Sequence, residues 1–242
     1  RAVCDVMSLS ASPEHVRLPR PCRRLTDNGG VIMNPPGDPR GIVLFGPGAG
    51  GDPARYSALI EAAMSAGFIV AAPEHERFDA RTVTDEQMCQ RAVGLAAMLN
   101  DVGRPDLPVV AAGHSAGGWA ALCLAGAQPW GRSRRPIAVP TEPRVTKVVI
   151  LAPTLGWFRA PGALDDLRVP VVVLAGAADV VTPPPTVDIL RAAPTEISVQ
   201  TYEGVGHFDF MSVLPPTVSP TPGLDYEVFI RQLANDFARA LG

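Results

Sequence analysis

The sequence predicts an α/β protein built on a doubly wound, mostly parallel sheet. Two observations carry this expectation. Short, continuous apolar runs recur along the chain, as strands covered on both faces require, and amphipathic helical stretches with start and stop signals lie between them. A third is size: 242 residues with no internal repeat suffice for one sizeable core, and no second core is visible.

Residues 1–40 read as an irregular N-terminal segment packed on the domain, with weak strand signals and an Asn28-Gly29-Gly30 turn before Val31-Ile32-Met33. The domain itself is expected over 41–242. Gly41-Ile42-Val43-Leu44-Phe45 reads as its first buried strand. Asp52 then caps a helix with Pro53 at its first position, and Tyr56, Leu59, Ile60, Ala63 and Met64 mark one face until Gly67. Phe68–Ala72 follows as a second strand. Thr84 and Gln87 form a capping-box pattern ahead of Met88, Ala92, Leu95, Ala96 and Leu99. Further strands are expected at Leu107–Ala112, Lys147–Leu151, Val171–Ala175 and Ile197–Tyr202. Asp225 precedes the stripe Tyr226, Phe229, Ile230, Leu233, Phe237 and Leu241 of a long C-terminal helix.

Composition excludes several function classes. A net charge of −3, with no long run of like charges, gives no footprint for nucleic acid. The longest apolar runs fall far short of the ~20 residues a membrane span needs. The 26 prolines cluster between periodic segments, as in Pro183-Pro184-Pro185, and so mark loops. Of the four cysteines, Cys89 and Cys123 fall in predicted helices as buried thiols, and Cys4 and Cys22 are left as a pair for an exported form. A cytoplasmic location is expected, or a secreted or periplasmic one if a signal preceded Arg1.

Gly113-His114-Ser115-Ala116-Gly117-Gly118 fits G-x-S-x-G, follows a predicted strand and opens a helix through Trp119-Ala120-Ala121-Leu122. A tight strand-to-helix turn there leaves the serine backbone strained and its hydroxyl exposed, with Ser115 as nucleophile. A hydroxyl needs a base. Of four histidines, His207 sits in a loop after the last strand, able to reach back over the carboxyl edge of the sheet. His114 is read as structural, and His15 and His75 as surface or supporting residues. The acid that orients the imidazole is expected at Asp179, just past the strand 171–175, at the crevice where doubly wound sheets place ligands. Asp209 is the rival. The Asp179 alternative, a turn or cap aspartate, is weakened because Thr182-Pro183 already offers a cap. Gly46-Pro47-Gly48-Ala49-Gly50-Gly51 after the first strand suggests an oxyanion hole, with the N–H groups of Ala49 and Ala116 as donors. It lacks the Lys-Ser/Thr ending of a phosphate loop and does not match a dinucleotide fingerprint. Glu74-His75-Glu76 and Asp79 read as a solvated loop, not metal ligands, so no metal and no cofactor are expected. Trp119, Trp157 and Phe208, with Phe158, Phe210 and Met211, suggest an apolar substrate pocket.

On these residues the chain resembles the α/β-hydrolase superfamily over residues 40–242, and within it the dienelactone hydrolase-like, chlorophyllase-like and platelet-activating-factor acetylhydrolase-like group. The resemblance rests on Phe45–Asp52, the 113–118 motif, Gly176-Ala-Ala-Asp179 and Gly206-His207-Phe208-Asp209-Phe210. It implies a catalytic domain at 41–242, a Ser-His-Asp triad acting through an acyl-enzyme, and a small-molecule ester substrate with an apolar group. Relatives often carry His-Gly where this chain has Pro47-Gly48, and dienelactone hydrolases proper use cysteine where Ser115 stands. Epoxide hydrolases and haloalkane dehalogenases would need an aspartate there. Too few residues separate Leu151 from Val171 for a large cap domain. Amide hydrolysis, acyl transfer to another alcohol, and a catalytically silent binding protein on the same fold are the competing expectations.

Overall fold

The computed structural model describes residues 23–26 and 30–242; Cys4, Cys22, His15 and the Asn28-Gly29 half of the expected turn lie outside them. In chain order the elements are β1 (Arg23–Leu25), β2 (Val31–Met33), β3 (Gly41–Gly46), α1 (Ser57–Ser65), β4 (Phe68–Ala72), α2 (Asp85–Val102), β5 (Val109–His114), α3 (Ala116–Leu124), β6 (Val145–Leu151), β7 (Val171–Gly176), β8 (Ile197–Tyr202) and α4 (Tyr226–Leu241). They build one eight-stranded sheet in the order β1-β2-β4-β3-β5-β6-β7-β8. β1 and β2 join antiparallel, and every pairing from β4 to β8 is parallel.

The burial of the strands explains their composition. β3, β4 and β5 are buried at every residue, because helices cover both faces. One apolar layer packs α2 and α3 against the sheet through Met88, Leu95, Trp119 and Leu122. The other packs α1 and α4 through Tyr56, Leu59, Leu233 and Phe237. β8 is an edge, and its Ser198, Val199, Gln200 and Thr201 are exposed.

The local signals act where expected. Asp52 accepts from the Ala54 N–H at 2.8 Å, Thr84 and Gln87 close a reciprocal capping box, and Gly103 ends α2 in the left-handed region at φ 67°. Two short strands, β1 and β2, fall within the stretch that reads as irregular; each is only three residues long, too short for an alternation to register. The strand expected at 107–112 runs instead from Val109 to His114. Pro108 has no N–H for the ladder, and its carbonyl accepts from Ile42, while the far end pairs on to Leu151. Between β6 and β7 the only helical turn is a 3₁₀ turn at Gly156–Phe158, so no cap domain is inserted. No helix among the described residues is long and apolar enough to cross a membrane.

The chain leaves β3 to form β4 on one side and returns to form β5 on the other. That reversal opens a crevice at the carboxyl ends of β3 and β5, where such sheets place ligands.

Candidate active site

Ser115 stands at that reversal, between β5 and α3, with φ 55° and ψ −116°. A side chain in this region costs on the order of 1–3 kcal/mol, and surrounding structure must hold it there. Three glycines supply the hold by letting backbones touch. A Cβ on Gly117 would lie 1.8 Å from the Gly46 carbonyl oxygen, and one on Gly113 would lie 2.5 Å from the Gly117 carbonyl carbon. The Ser115 N–H donates to Leu151 at 2.9 Å, and its carbonyl accepts from Thr154, tying the turn to the end of β6.

His207 opens a 3₁₀ turn at His207–Phe210 after β8, and Asp179 follows β7. All three side chains are buried or nearly so. His207 Nε2 lies 3.1 Å from Ser115 Oγ, and its Nδ1 lies 2.9 Å from Asp179 Oδ2. An ionised carboxylate only accepts, so Nδ1 carries the proton, Nε2 is left as an acceptor, and the Ser115 hydroxyl donates to it. Asp179 Oδ1 accepts the Val181 and Thr182 N–H groups at 2.8 Å each, and Oδ2 accepts the Thr182 hydroxyl at 2.7 Å. Burial works to raise the Asp179 carboxyl, but the hydrogen bond and charge of His207, with the Thr182 donors, outweigh it and hold it below the usual carboxylate value.

Asp179 is therefore a turn aspartate and the partner of His207 at once; the two readings do not compete. Thr182 does not cap the following 3₁₀ stretch, where Pro183 occupies the cap position without a side-chain bond. Its hydroxyl is drawn instead to Asp179, to the Ala152 carbonyl at 3.0 Å and to within 3.1 Å of His207 Nδ1. Asp209 is engaged elsewhere and makes no hydrogen bond to the His207 ring. Its carboxylate accepts the Gly206 N–H at 2.7 Å and, from the next loop, the Thr221 N–H at 3.1 Å.

A cavity of about 330 Å³ opens over Ser115, walled by Ala49, Phe78, Val83, Met88, Ala116, Trp130, Thr154 and Trp157 among others. Ala49 and Ala116 thus flank the serine, and neither N–H donates a hydrogen bond among the described residues. Trp157 forms part of the wall. Trp119 does not: it is wholly buried beneath, stacked on Phe158 and edge-on to Trp157, because α3 turns it into the sheet face. Phe208 stands at the surface with its ring edge on His207 and lines an adjoining depression with Arg55, Arg77 and Met211, which shares Ala49, Phe78 and Ala80 with the cavity. Phe210 is core. Glu74 and Glu76 are exposed, and the His75 ring rests against Gly94, where an added Cβ would meet it at 2.5 Å. Cys89 and Cys123 are free thiols on α2 and α3.

Sequence reasoning missed Tyr56, Arg91, Thr154 and Thr182. Tyr56 passes for one more apolar residue of a helix face and Arg91 for a solvated position, and no pattern betrays the two threonines.

No family model and no curated protein matches the chain. Solved structures do. A serine hydrolase homologue from Coxiella burnetii superimposes at TM-score 0.59 and 14% identity, over 95% of this chain and all of the other. An esterase from Thermogutta terrifontis with butyrate bound gives 0.60 at 17% identity, over 93% and 95%. A monoacylglycerol lipase from Paleococcus ferrophilus gives 0.59 at 16% identity, over 87% and 98%. At such identities the likeness is one of architecture, and by it the chain has the α/β-hydrolase fold.

Proposed function

We propose that this chain is a serine hydrolase that cleaves carboxylic esters of small molecules through an acyl-enzyme. The observation that carries the reading is the unbroken run of hydrogen bonds from Asp179 through His207 to Ser115, ending on a cavity. Ser115 Oγ attacks the ester carbonyl carbon as its proton passes to His207 Nε2. The carbonyl oxygen becomes an oxyanion and takes hydrogen bonds from the Ala49 and Ala116 N–H groups. Collapse breaks the C–O bond to the alcohol, which leaves with the proton from His207. Water then attacks the acyl-enzyme, His207 takes its proton, and the acid departs as Ser115 Oγ is reprotonated. Asp179 keeps Nδ1 protonated and stabilises the imidazolium of both steps.

The lining of Phe78, Val83, Met88, Trp130 and Trp157 suits an apolar acyl group of modest length, with the adjoining depression at Phe208 for the leaving alcohol. The Thermogutta esterase, solved also after phosphorylation by paraoxon, lends the reading support by analogy of fold. A panel of p-nitrophenyl esters of graded acyl length tests it, with Ser115→Ala as control. We expect turnover of short and medium chains, lowered on the order of 10³-fold or more in the folded variant. Equal activity in the variant would remove Ser115 from the mechanism. No turnover and no labelling by a serine-directed phosphonate would favour a silent binding protein.

A further inference from the structure

In the loop proposed to carry the oxyanion donor, Gly48 is held at both of its polar groups, its carbonyl also accepting the Gly51 N–H of the loop's own turn at 2.9 Å. Its N–H donates to the Tyr56 hydroxyl oxygen at 3.0 Å, and its carbonyl accepts from Arg91 at 3.0 Å. Arg91 also donates to the carbonyls of Ala49 at 3.0 Å and Glu76 at 2.8 Å, and its guanidinium lies 4.5 Å over the Phe78 ring. Tyr56 and Arg91 are buried, and neither touches the cavity over Ser115.

The proton positions in this buried chain follow from its two ends. The Tyr56 oxygen accepts from the Gly48 N–H, and because the neutral His114 ring must keep its proton on Nε2 to meet the His207 carbonyl, its Nδ1 accepts the Tyr56 hydroxyl at 2.9 Å. His114 then carries its proton on Nε2, which lies 3.0 Å from the His207 carbonyl, a group that can only accept. Every bond in the chain points the same way, from Gly48 to the backbone of the proposed base. Burial, and then the charge of His207, push the His114 ring well below its ordinary value, so it stays neutral as this arrangement requires. Burial likewise raises Tyr56, which keeps its hydroxyl proton. Burial lowers Arg91 to about 10, against a raising contribution from Tyr56, which leaves it cationic at neutral pH.

The peptide between Gly48 and Ala49 is trans, so its C=O and N–H point in opposite directions. Whatever fixes the Gly48 carbonyl therefore aims the Ala49 N–H. We propose that Tyr56, His114 and Arg91 are positioning residues that clamp Gly48 and thereby hold the Ala49 N–H on the oxyanion. The proposal rests on the ester-hydrolase reading above and assigns it three residues that never touch substrate. It also gives Gly48 its reason, since a Cβ there would crowd His114 Nδ1 and the Tyr56 hydroxyl at 3.1 Å each.

The test compares wild type, Tyr56→Phe and Arg91→Lys on one p-nitrophenyl ester and on a trifluoromethyl ketone, which adds to an active serine as a tetrahedral oxyanion. Tyr56→Phe keeps the packed ring and removes only the hydroxyl. We expect kcat to fall by roughly 10- to 100-fold in each variant, with KM nearly unchanged and the ketone weakened by the same factor. Unchanged kcat, or a kcat loss without weaker ketone binding, overturns the clamp. Should Arg91→Lys not fold, Tyr56→Phe decides alone. If wild type neither turns over esters nor labels, the ester-hydrolase reading fails by itself. Nitrogen-15 spectra of histidine-labelled protein then judge the relay: a His114 proton on Nε2 upholds it, and one on Nδ1 overturns it.

Discussion

The Thr221 hydroxyl donates to Asp209 at 2.6 Å, and this bond removes the nearest rival to Asp179. A carboxylate two residues from His207 would have to fold back on its own loop to meet the imidazole. Instead Asp209 closes the turn at Gly206 and staples it to the segment before α4.

The two aspartates should therefore separate kinetics from stability. Asp179→Asn leaves the wrong tautomer at His207 and should cost about 10⁴-fold in kcat. Asp209→Asn should keep most turnover yet lose about 1–3 kcal/mol of stability, since it leaves buried donors unmatched. Steady-state kinetics and urea melts on both variants check this; the reverse pattern would reassign the acid.

The positive φ at Ser115 makes a prediction about stability alone. Glycine tolerates the region that serine and alanine do not. Ser115→Gly should be inactive like Ser115→Ala, yet more stable than it by about 1 kcal/mol, after allowing for the extra freedom glycine has when unfolded. Equal midpoints in denaturant would mean that the turn carries no strain.

How the sequence came to show so much of this site has a local cause. The turn at Ser115 needs small residues at fixed offsets, and Asp179 and His207 follow strands whose apolar runs are unmistakable. The architecture and the strand-to-helix setting of Ser115 were legible for that reason. What could not be read depends on contacts between distant segments. Tyr56 and His114 lie 58 positions apart, and nothing near either announces the bond between them. Trp119 looks like a pocket residue because it neighbours the serine, yet the helical turn aims it at the core. Thr182 reads as a cap by its Pro neighbour, whereas the Asp179 turn claims its hydroxyl first.

Acid should unfold the protein through its histidines as well as its carboxylates. Burial, with the nearby Arg91 charge, lowers His75 from 6.5 to about 4, so the unfolded chain takes up its proton first. The stability this gives is complete above pH 6.5 and is lost as pH falls to about 4. It amounts to roughly 3 kcal/mol. His114, lowered as well, loses its contribution from pH 6.5 downward and on below the His75 window, and Asp179, held below its ordinary value, loses its contribution in the same acid direction. His75→Gln should roughly halve the slope between pH 6.5 and 4, since His114 contributes over the same window, and leave the acid limb below it, as followed by urea midpoints at each pH. An unaltered slope would show that the His75 ring titrates as it does in water.

The interlocked glycines also govern when the site comes into being during synthesis. Gly117 rests on Gly46, and the Ser115 N–H is fixed only by Leu151, so a nascent chain cannot lock the turn until three separate strands have been made and docked. Parallel pairing of this kind is slow, because each strand must wait for a crossover to close. His207 emerges later still, 92 positions after the serine it faces. The strands that fix the turn at Ser115 are therefore all made on a nascent chain before the imidazole proposed as its base has been synthesised.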